Sequence, residues 1–304
     1  MPRFSIPIFI LLSAFISFGS HAAAGKAVVA VQSVPARPYD QAFIGFAQTL
    51  SGFGDDVQRI VLSELPTQDV RSRLSRIKPD LVLSIGLDAL TQVADLTNTP
   101  VVYVMVLTPP DFLSRRGRAT GVRMLVAPEK QIAIVREALP QVRTIGLVYA
   151  PQRSEQIVRS LHEAAGHIGI SIIAHKINRA EQVPKAVLDM APKIDLFWML
   201  PDLTVVTPDT VEFLLLFSME SSTPLVTFSE KYAEQGAVLA ISSDTRDMGR
   251  QAGQMALRIL AGADARNLTP EDASKAVVTI NLKVARKMGL KLGAQILRTA
   301  RVLD

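Results

Sequence analysis

Short apolar runs rich in Val, Ile and Leu recur along this chain, with room for a helix between successive runs. No other feature restricts the fold as much. The runs are Ala27–Val31, Val57–Leu62, Leu81–Ile85, Val101–Val106, Thr144–Tyr149, Ser171–Lys176, Leu196–Leu200, Leu225–Phe228 and Val238–Ile241. Most are continuous rather than alternating, as expected of strands buried on both faces of a parallel sheet. Between them, Gln41–Ser51 carries Phe43, Phe46, Ala47 and Leu50 at helical spacing, and further helix patterns cover Thr67–Ile77, Leu87–Leu96 and Pro128–Leu139. Ser154–Ile168, Val183–Met190, Thr210–Ser221 and Met248–Ala261 complete the set. Strands alternating with helices imply βαβ units.

The alternation breaks at Thr108-Pro109-Pro110 and Arg115–Ala119, and a fresh run starts at Arg143. The reading is therefore α/β, with two doubly wound parallel-sheet lobes joined by a hinge between Thr120 and Arg143. One sheet of nine or more strands would fit the same pattern but is a less usual size.

The N-terminus reads as a signal peptide over residues 1–24. Arg3 gives a positive start, Ile6–Phe18 is almost unbroken apolar sequence, and Ser20–Ala24 supplies the small residues for cleavage near Ala22–Gly25. The apolar run is short for a bilayer span, which needs about 20 residues; an uncleaved membrane anchor is the competing interpretation. Export would place the mature chain in the periplasm. The chain has no cysteine, which removes a lipid-attachment thiol, a disulfide framework, thiolate metal sites and a Cys nucleophile. Its formal net charge is +5, but the basic residues (Arg71, Arg73, Arg76, Lys78; Arg115, Arg116, Arg118) are dispersed and not interleaved with aromatics. That pattern suits a solvated face and gives no nucleic-acid partner.

In open α/β sheets ligands bind beyond the carboxyl ends of the strands. The loops that follow the strands are Gln32–Asp40, Ser84–Leu87, Leu107–Asp111, Tyr149–Ser154, Pro201–Thr204, Phe228–Lys231 and Ser242–Asp244. From these, Tyr39, Ser84, Gly86, Thr108, Tyr149, Asp202 and Phe228 are the expected cleft-lining residues. Tyr39, Tyr149 and Phe228 could stack on a flat ligand or serve as ordinary packing. Asp202 could take a ligand ammonium or hydroxyl, or cap a turn. Asp244 has the same two readings, with a helix cap favoured. The backbone N–H groups of Ser84–Leu87 open a helix and could face an anion.

Enzyme signatures are absent from the sequence. His162 and His167 are spaced i, i+5 and do not share a helical face, and no G-x-S-x-G, H-E-x-x-H or Walker loop occurs. Gly249–Gly253 lies inside a helix pattern and reads as a close-packing surface. A catalytic pair would need Asp40 to meet Asp202 in the cleft, and no spacing supports that. No cofactor is implied.

Several segments carry a family resemblance. Arg143-Thr-Ile-Gly-Leu-Val-Tyr149, Asp195-Leu-Phe-Trp-Met-Leu-Pro-Asp202 and Gly236-Ala-Val-Leu-Ala-Ile-Ser-Ser-Asp244 are the first three. Met248-Gly-Arg-Gln-Ala-Gly253, Ala256-Leu-Arg-Ile-Leu-Ala-Gly262, Ile280-Asn-Leu-Lys-Val-Ala-Arg-Lys-Met-Gly289 and Ala119-Thr-Gly-Val122 complete it. From about Gly25 to about Leu290 the chain resembles ABC-transporter solute-binding proteins of the periplasmic-binding type I class, in the branch that includes aromatic amino acid binders. The resemblance implies a non-enzymatic receptor that closes on a small molecule, with amino acid-like compounds among the candidates, and delivers it to an ABC permease or a membrane sensor. It also implies three crossings between lobes, with residues 25–122 plus 245–270 in the first and 123–244 plus 271–304 in the second. The tail Gly293–Asp304 is expected to be a short amphipathic helix.

The departures fall on the ligand side. Leu107-Thr108-Pro109-Pro110 stands where the family has an Asp-Pro pair, Arg118-Ala119 replaces an Asn region, and Ala150–Ser154 lacks a usual Asn. A ligand-poor signalling or interaction module on the same fold is therefore the second expectation.

Overall fold

The computed structural model describes residues 26–51, 57–65, 69–94, 96, 98–110 and 119–304. The expected signal segment 1–24 and Arg115, Arg116 and Arg118 lie outside them. The first sheet takes β1 (Val28–Gln32), β2 (Gln58–Val61), β3 (Leu81–Ile85), β4 (Val101–Val106), β5 (Ala119–Val126) and β11 (Glu271–Ala273), in the order β11-β5-β4-β3-β1-β2. The second takes β6 (Thr144–Tyr149), β7 (Ser171–Lys176), β8 (Leu196–Trp198), β9 (Leu225–Thr227), β10 (Leu239–Ser243), β12 (Ala276–Asn281) and β13 (Arg301–Leu303), in the order β13-β12-β10-β9-β8-β6-β7.

Every residue of β1, β3 and β4 is buried, which is why those runs are apolar without alternation. One face of the first sheet is covered by α1 (Arg37–Leu50) and α9 (Thr245–Leu260), the other by α2 (Asp69–Ile77) and α3 (Leu87–Val93). The second sheet is covered on one face by α4 (Pro128–Ala138), α5 (Pro151–His167), α10 (Leu282–Lys287) and α11 (Ala294–Thr299). On its other face lie α6 (Val183–Met190), α7 (Pro208–Ser221) and α8 (Glu230–Glu234).

The chain passes between sheets at three places: from β5 to α4, from β10 to α9 and from β11 to β12. All strands of the first sheet run parallel, so β5 and β11 both end at its carboxyl edge. In the second sheet β10 ends at the carboxyl edge, and Ala276 at the start of β12 pairs with Ser243 at that same edge. Helix α4 precedes β6 through a short turn, so its first residue also lies there. All three crossings thus join one carboxyl edge to the other, and the two edges face each other across the hinge.

This topology explains three differences from the sequence reading. Because it re-enters at the carboxyl edge, β12 must run down the sheet and pair antiparallel with β10, whereas the other pairs of described strands are parallel. Residues 123–126 and 271–273 belong to strands of the first sheet, beyond the points 122 and 270 where the crossings were expected. Segment Glu271–Ala273 has little strand propensity and is extended by its pairing with β5. The tail is not one helix: α11 is followed by β13, which adds to the edge of the second sheet beside β12.

Helix α9 returns to the first lobe on a seam of small residues. A Cβ on Gly249 would lie 1.9 Å from the Ala42 carbonyl oxygen, and one on Gly45 would lie 2.0 Å from that of Arg246. One turn on, a Cβ on Gly253 would lie 2.6 Å from the Thr49 side chain. The backbones of α1 and α9 therefore touch, as the Gly249–Gly253 pattern predicts.

Gly249→Val should destabilise the protein by about 1–3 kcal/mol through overpacking. Gly166→Ala should instead stabilise it by about 0.5–1 kcal/mol, because nothing lies within 4 Å of a Cβ added to Gly166 on α5. Urea denaturation of the two variants checks both signs. An unchanged midpoint for Gly249→Val would remove the seam argument.

Candidate functional site

The loops at the two facing edges hold the sequence-predicted site residues, but not all of their side chains reach the cleft. On the first lobe, Gly86 has φ +94°, a conformation costly to other residues. A Cβ there would fall 2.6 Å from Ser33 Oγ and 2.9 Å from the Tyr39 ring, so Gly86, Ser33 and Tyr39 meet at one point. The Ser33 hydroxyl donates to the Ile85 carbonyl at 3.1 Å and accepts from the Ala89 N–H at 3.0 Å. Helix α3, which has no side-chain cap of its own, is thus capped from the loop after β1. The Gly86 N–H donates to the Val104 carbonyl at 2.9 Å. Of the amides expected to face an anion, that of Gly86 is thus engaged within the protein.

Ser84 also departs from its expected place. It pairs in register with Val31 and Tyr103, both in the core beneath α2 and α3. Parallel register puts paired side chains on the same face, so Ser84 is fully buried there. Its hydroxyl finds no partner among the described residues. Thr108, two residues beyond β4, is exposed at the carboxyl edge.

On the second lobe Asp202 is buried, at 1 % exposure. Its Oδ2 accepts from the Ala150 N–H at 2.9 Å and from Ser154 Oγ at 2.7 Å, and its Oδ1 accepts from the Thr204 N–H at 2.9 Å. Ala150 is the N-cap of α5 and has no capping side chain; Asp202 supplies the acceptor from the neighbouring strand end, where the helix dipole favours its charge. Of the two readings of Asp202, the structure has the cap and not the free ligand carboxylate. Asp244 is likewise a cap, accepting from the Asp247 N–H at 3.0 Å.

Tyr149 ends β6 and is buried on the face covered by α5, with its hydroxyl donating to Glu155 Oε2 at 3.1 Å. Burial, then the Glu155 carboxylate, raises its pKa above the ordinary phenol value. Phe228, half-buried after β9, packs edge-to-face on Tyr232 with centroids 5.4 Å apart. Asp40 accepts from Gln32 Nε2 at 3.1 Å and pairs with Arg59. The Gln32 hydrogen bond, helped by Arg59, lowers its pKa. Asp40 and Asp202 are therefore each engaged within their own lobe and form no acid–base pair. Among the described residues no cluster of three or more His, Asp or Glu could hold a metal ion.

Three apolar side chains at these edges were not singled out in the sequence, although their loops were. Val34 is 41 % exposed, Leu87 47 % and Leu203 72 %. They follow β1, β3 and β8, at the ends of otherwise buried strands. A reading of loop chemistry looks for polar groups and passes over such residues.

Asp202→Ala strands the Ala150 N–H and the Ser154 hydroxyl in the interior, so a loss of about 1–3 kcal/mol is expected. Asp202→Asn, which keeps an acceptor, should lose less. Thermal and urea unfolding followed by circular dichroism measures both, and an undiminished Asp202→Ala would contradict the cap.

Comparison with known proteins agrees with this architecture. The chain is 22% identical over 259 residues to a tyrosine-binding protein of Clostridioides difficile, covering 80% of this chain and 74% of that one. A ligand-free, open structure of a substrate binding protein with adhesive properties from Clostridium difficile superposes with a TM-score of 0.71 at 19% identity, covering 92% of this chain and 99% of the other. An ABC domain from Streptococcus pneumonia in complex with L-Trp gives a TM-score of 0.62 at 21% identity, over 92% of this chain and all of the other (100%). The family model described as ABC transporter substrate binding protein matches residues 67–303. With most of its length inside that match, the chain belongs to the ABC transporter substrate binding protein family.

Proposed function

We propose that this protein is an exported, non-enzymatic receptor that captures a small molecule between the facing carboxyl edges of its two lobes and presents it to an ABC permease. The observation that carries the reading is the placement of all three crossings. A hinge that joins the two carboxyl edges leaves the strand-end loops of both lobes free to close on one ligand, and closure excludes water from its polar contacts. The leader-like sequence 1–24 supports secretion to the periplasm.

The ligand chemistry follows from what the edges expose. Val34 and Leu87 on one side and Leu203 on the other offer exposed apolar surface to a ligand. Each 100 Å² of such surface taken from water contributes about 2.5 kcal/mol. A ligand with an apolar or aromatic part and a few polar groups fits, and the relatives that bind tyrosine or hold L-Trp make amino acid-like molecules the first class to try. Thr108, Tyr39 and Phe228 are the residues of the sequence-based set best placed to meet it. Gly86 gives the backbone room to approach, while Ser84, Tyr149 and Asp202 act from behind by packing and capping. Because Leu107-Thr108-Pro109-Pro110 replaces the family's Asp-Pro pair, the ligand's polar end must be held differently from that of relatives with the pair.

A thermal-shift screen of residues 25–304 against amino acids, nucleosides, sugars and small carboxylates tests the reading. A ligand at 100 times its Kd adds about 2.7 kcal/mol, a rise of roughly 5 °C or more for a chain of this size. A rise confined to one chemical class supports the receptor; a flat result across the library would replace it with an interaction module that contacts a membrane sensor. Leu203→Ser should weaken binding of the identified ligand several-fold in calorimetry while leaving the unliganded Tm within about 1 °C, since exposed substitutions change stability little.

A further inference from the structure

The third crossing, Ser274-Lys275, is held from both lobes and from the second crossing. Helix α9 is fixed to the first lobe by its glycine seam, and Asp247 in its first turn is buried with 4 % of its side chain exposed. The Asp247 carboxylate accepts from Ser274 Oγ, lies 3.2 Å from Lys275 Nζ and pairs with Arg250 Nε at 2.8 Å. One turn further along α9, Gln251 accepts from the Ser274 N–H at 2.9 Å and donates to the Asp272 carbonyl at 3.2 Å. From the second lobe, Lys130 on α4 donates to the Ser274 carbonyl at 2.9 Å. The N–H of Asp244, in the second crossing, donates to the Lys275 carbonyl at 3.0 Å.

We infer that Asp247 is a positioning residue that sets the angle between the lobes, by tying the side chains of Ser274 and Lys275 to the rigid first-lobe helix α9. Hinge motion is absorbed by the few backbone angles of the crossing segments. Of the three crossings, Ser274-Lys275 is the one whose side chains and backbone are held by a buried carboxylate and a buried amide of α9. A rotation of the second lobe must carry these two residues with it or pull them from Asp247. Either movement is costly for Asp247, because a buried carboxylate that loses a donor is left partly unsolvated. The tie therefore narrows the range of angles the unliganded protein samples. Resting on the receptor reading, the same tie tunes apparent affinity, since that affinity scales with the population of the binding-competent angle.

The cysteine-free chain allows spin labels to be placed at will. Ser75→Cys on α2 and Glu163→Cys on α5 lie at exposed positions in different lobes, and pulsed dipolar spectroscopy of the full mature chain reads the distance distribution between them. Asp247→Asn should broaden or shift the distribution of the unliganded protein. Ser274→Ala should do the same on the wild-type background and add nothing on the Asp247→Asn background. A folded Asp247→Asn protein whose distribution overlays the parent's would overturn the inference. Should circular dichroism show that variant unfolded, Lys275→Met decides, because that side chain is 62 % exposed and dispensable for the core; broadening supports the tie and an unchanged distribution refutes it. A wrong receptor reading appears separately, as a parent distribution that no ligand class moves, while the unliganded widths still report on Asp247.

Discussion

Backbone contact between α1 and α9 is the constraint from which the two-lobed arrangement follows. Gly45 and Gly249 let the helices approach until a carbonyl of each occupies the space a methyl would need. Close packing of this kind gains dispersion contacts along the whole seam and fixes α9 on the first sheet, although the strand before it, β10, lies in the second. Once α9 has returned, the chain must cross again to reach β12. Three crossings rather than one then define the hinge, and a three-stranded hinge permits bending while it resists free rotation. The position of the cleft, the antiparallel entry of β12 and the buried tie at Ser274-Lys275 all derive from that return.

The two lobes solve the same local problem in the same way. Helices α3 and α5 each begin at the cleft edge without a capping side chain of their own. Each is completed from the neighbouring strand end, by Ser33 in the first lobe and Asp202 in the second. These caps satisfy donors that would otherwise be orphaned at the helix starts and lock adjacent loops to one another. The cleft rim is thereby preorganised, and Thr108, Leu87 and Leu203 are left as exposed side chains at the edges.

The strands of both lobes were legible because a strand buried on both faces must be apolar throughout, whatever its neighbours. Leu81–Ile85, Val101–Val106 and Thr144–Tyr149 begin and end in the structure where the sequence places them. Two of the edge strands were not legible. Glu271–Ala273 and Arg301–Leu303 are extended because a partner strand offers hydrogen bonds, and their own residues carry no such preference. In β5 the mixed sequence Ala119-Thr-Gly-Val-Arg-Met-Leu-Val126 read as part of a break; Gly121 there leaves room for the Tyr103 ring of the adjacent strand.

The sequence by itself determined the α/β class, the loops that reach the carboxyl edges, the close-packing role of Gly249–Gly253 and the capping role of Asp244. Each of these depends on local periodicity or on the chemistry of a few adjacent residues. Only the tertiary structure decided that Asp202 serves Ala150 and Ser154, that Ser84 lies under α2 and α3, and that Asp247 reaches Ser274 and Lys275. The outcomes for Asp202 and Asp247 depend on which groups, 27 to 52 residues apart in the chain, are brought within hydrogen-bond range. Composition alone cannot encode that distance, because it is set by strand order and by the angle at which the lobes meet.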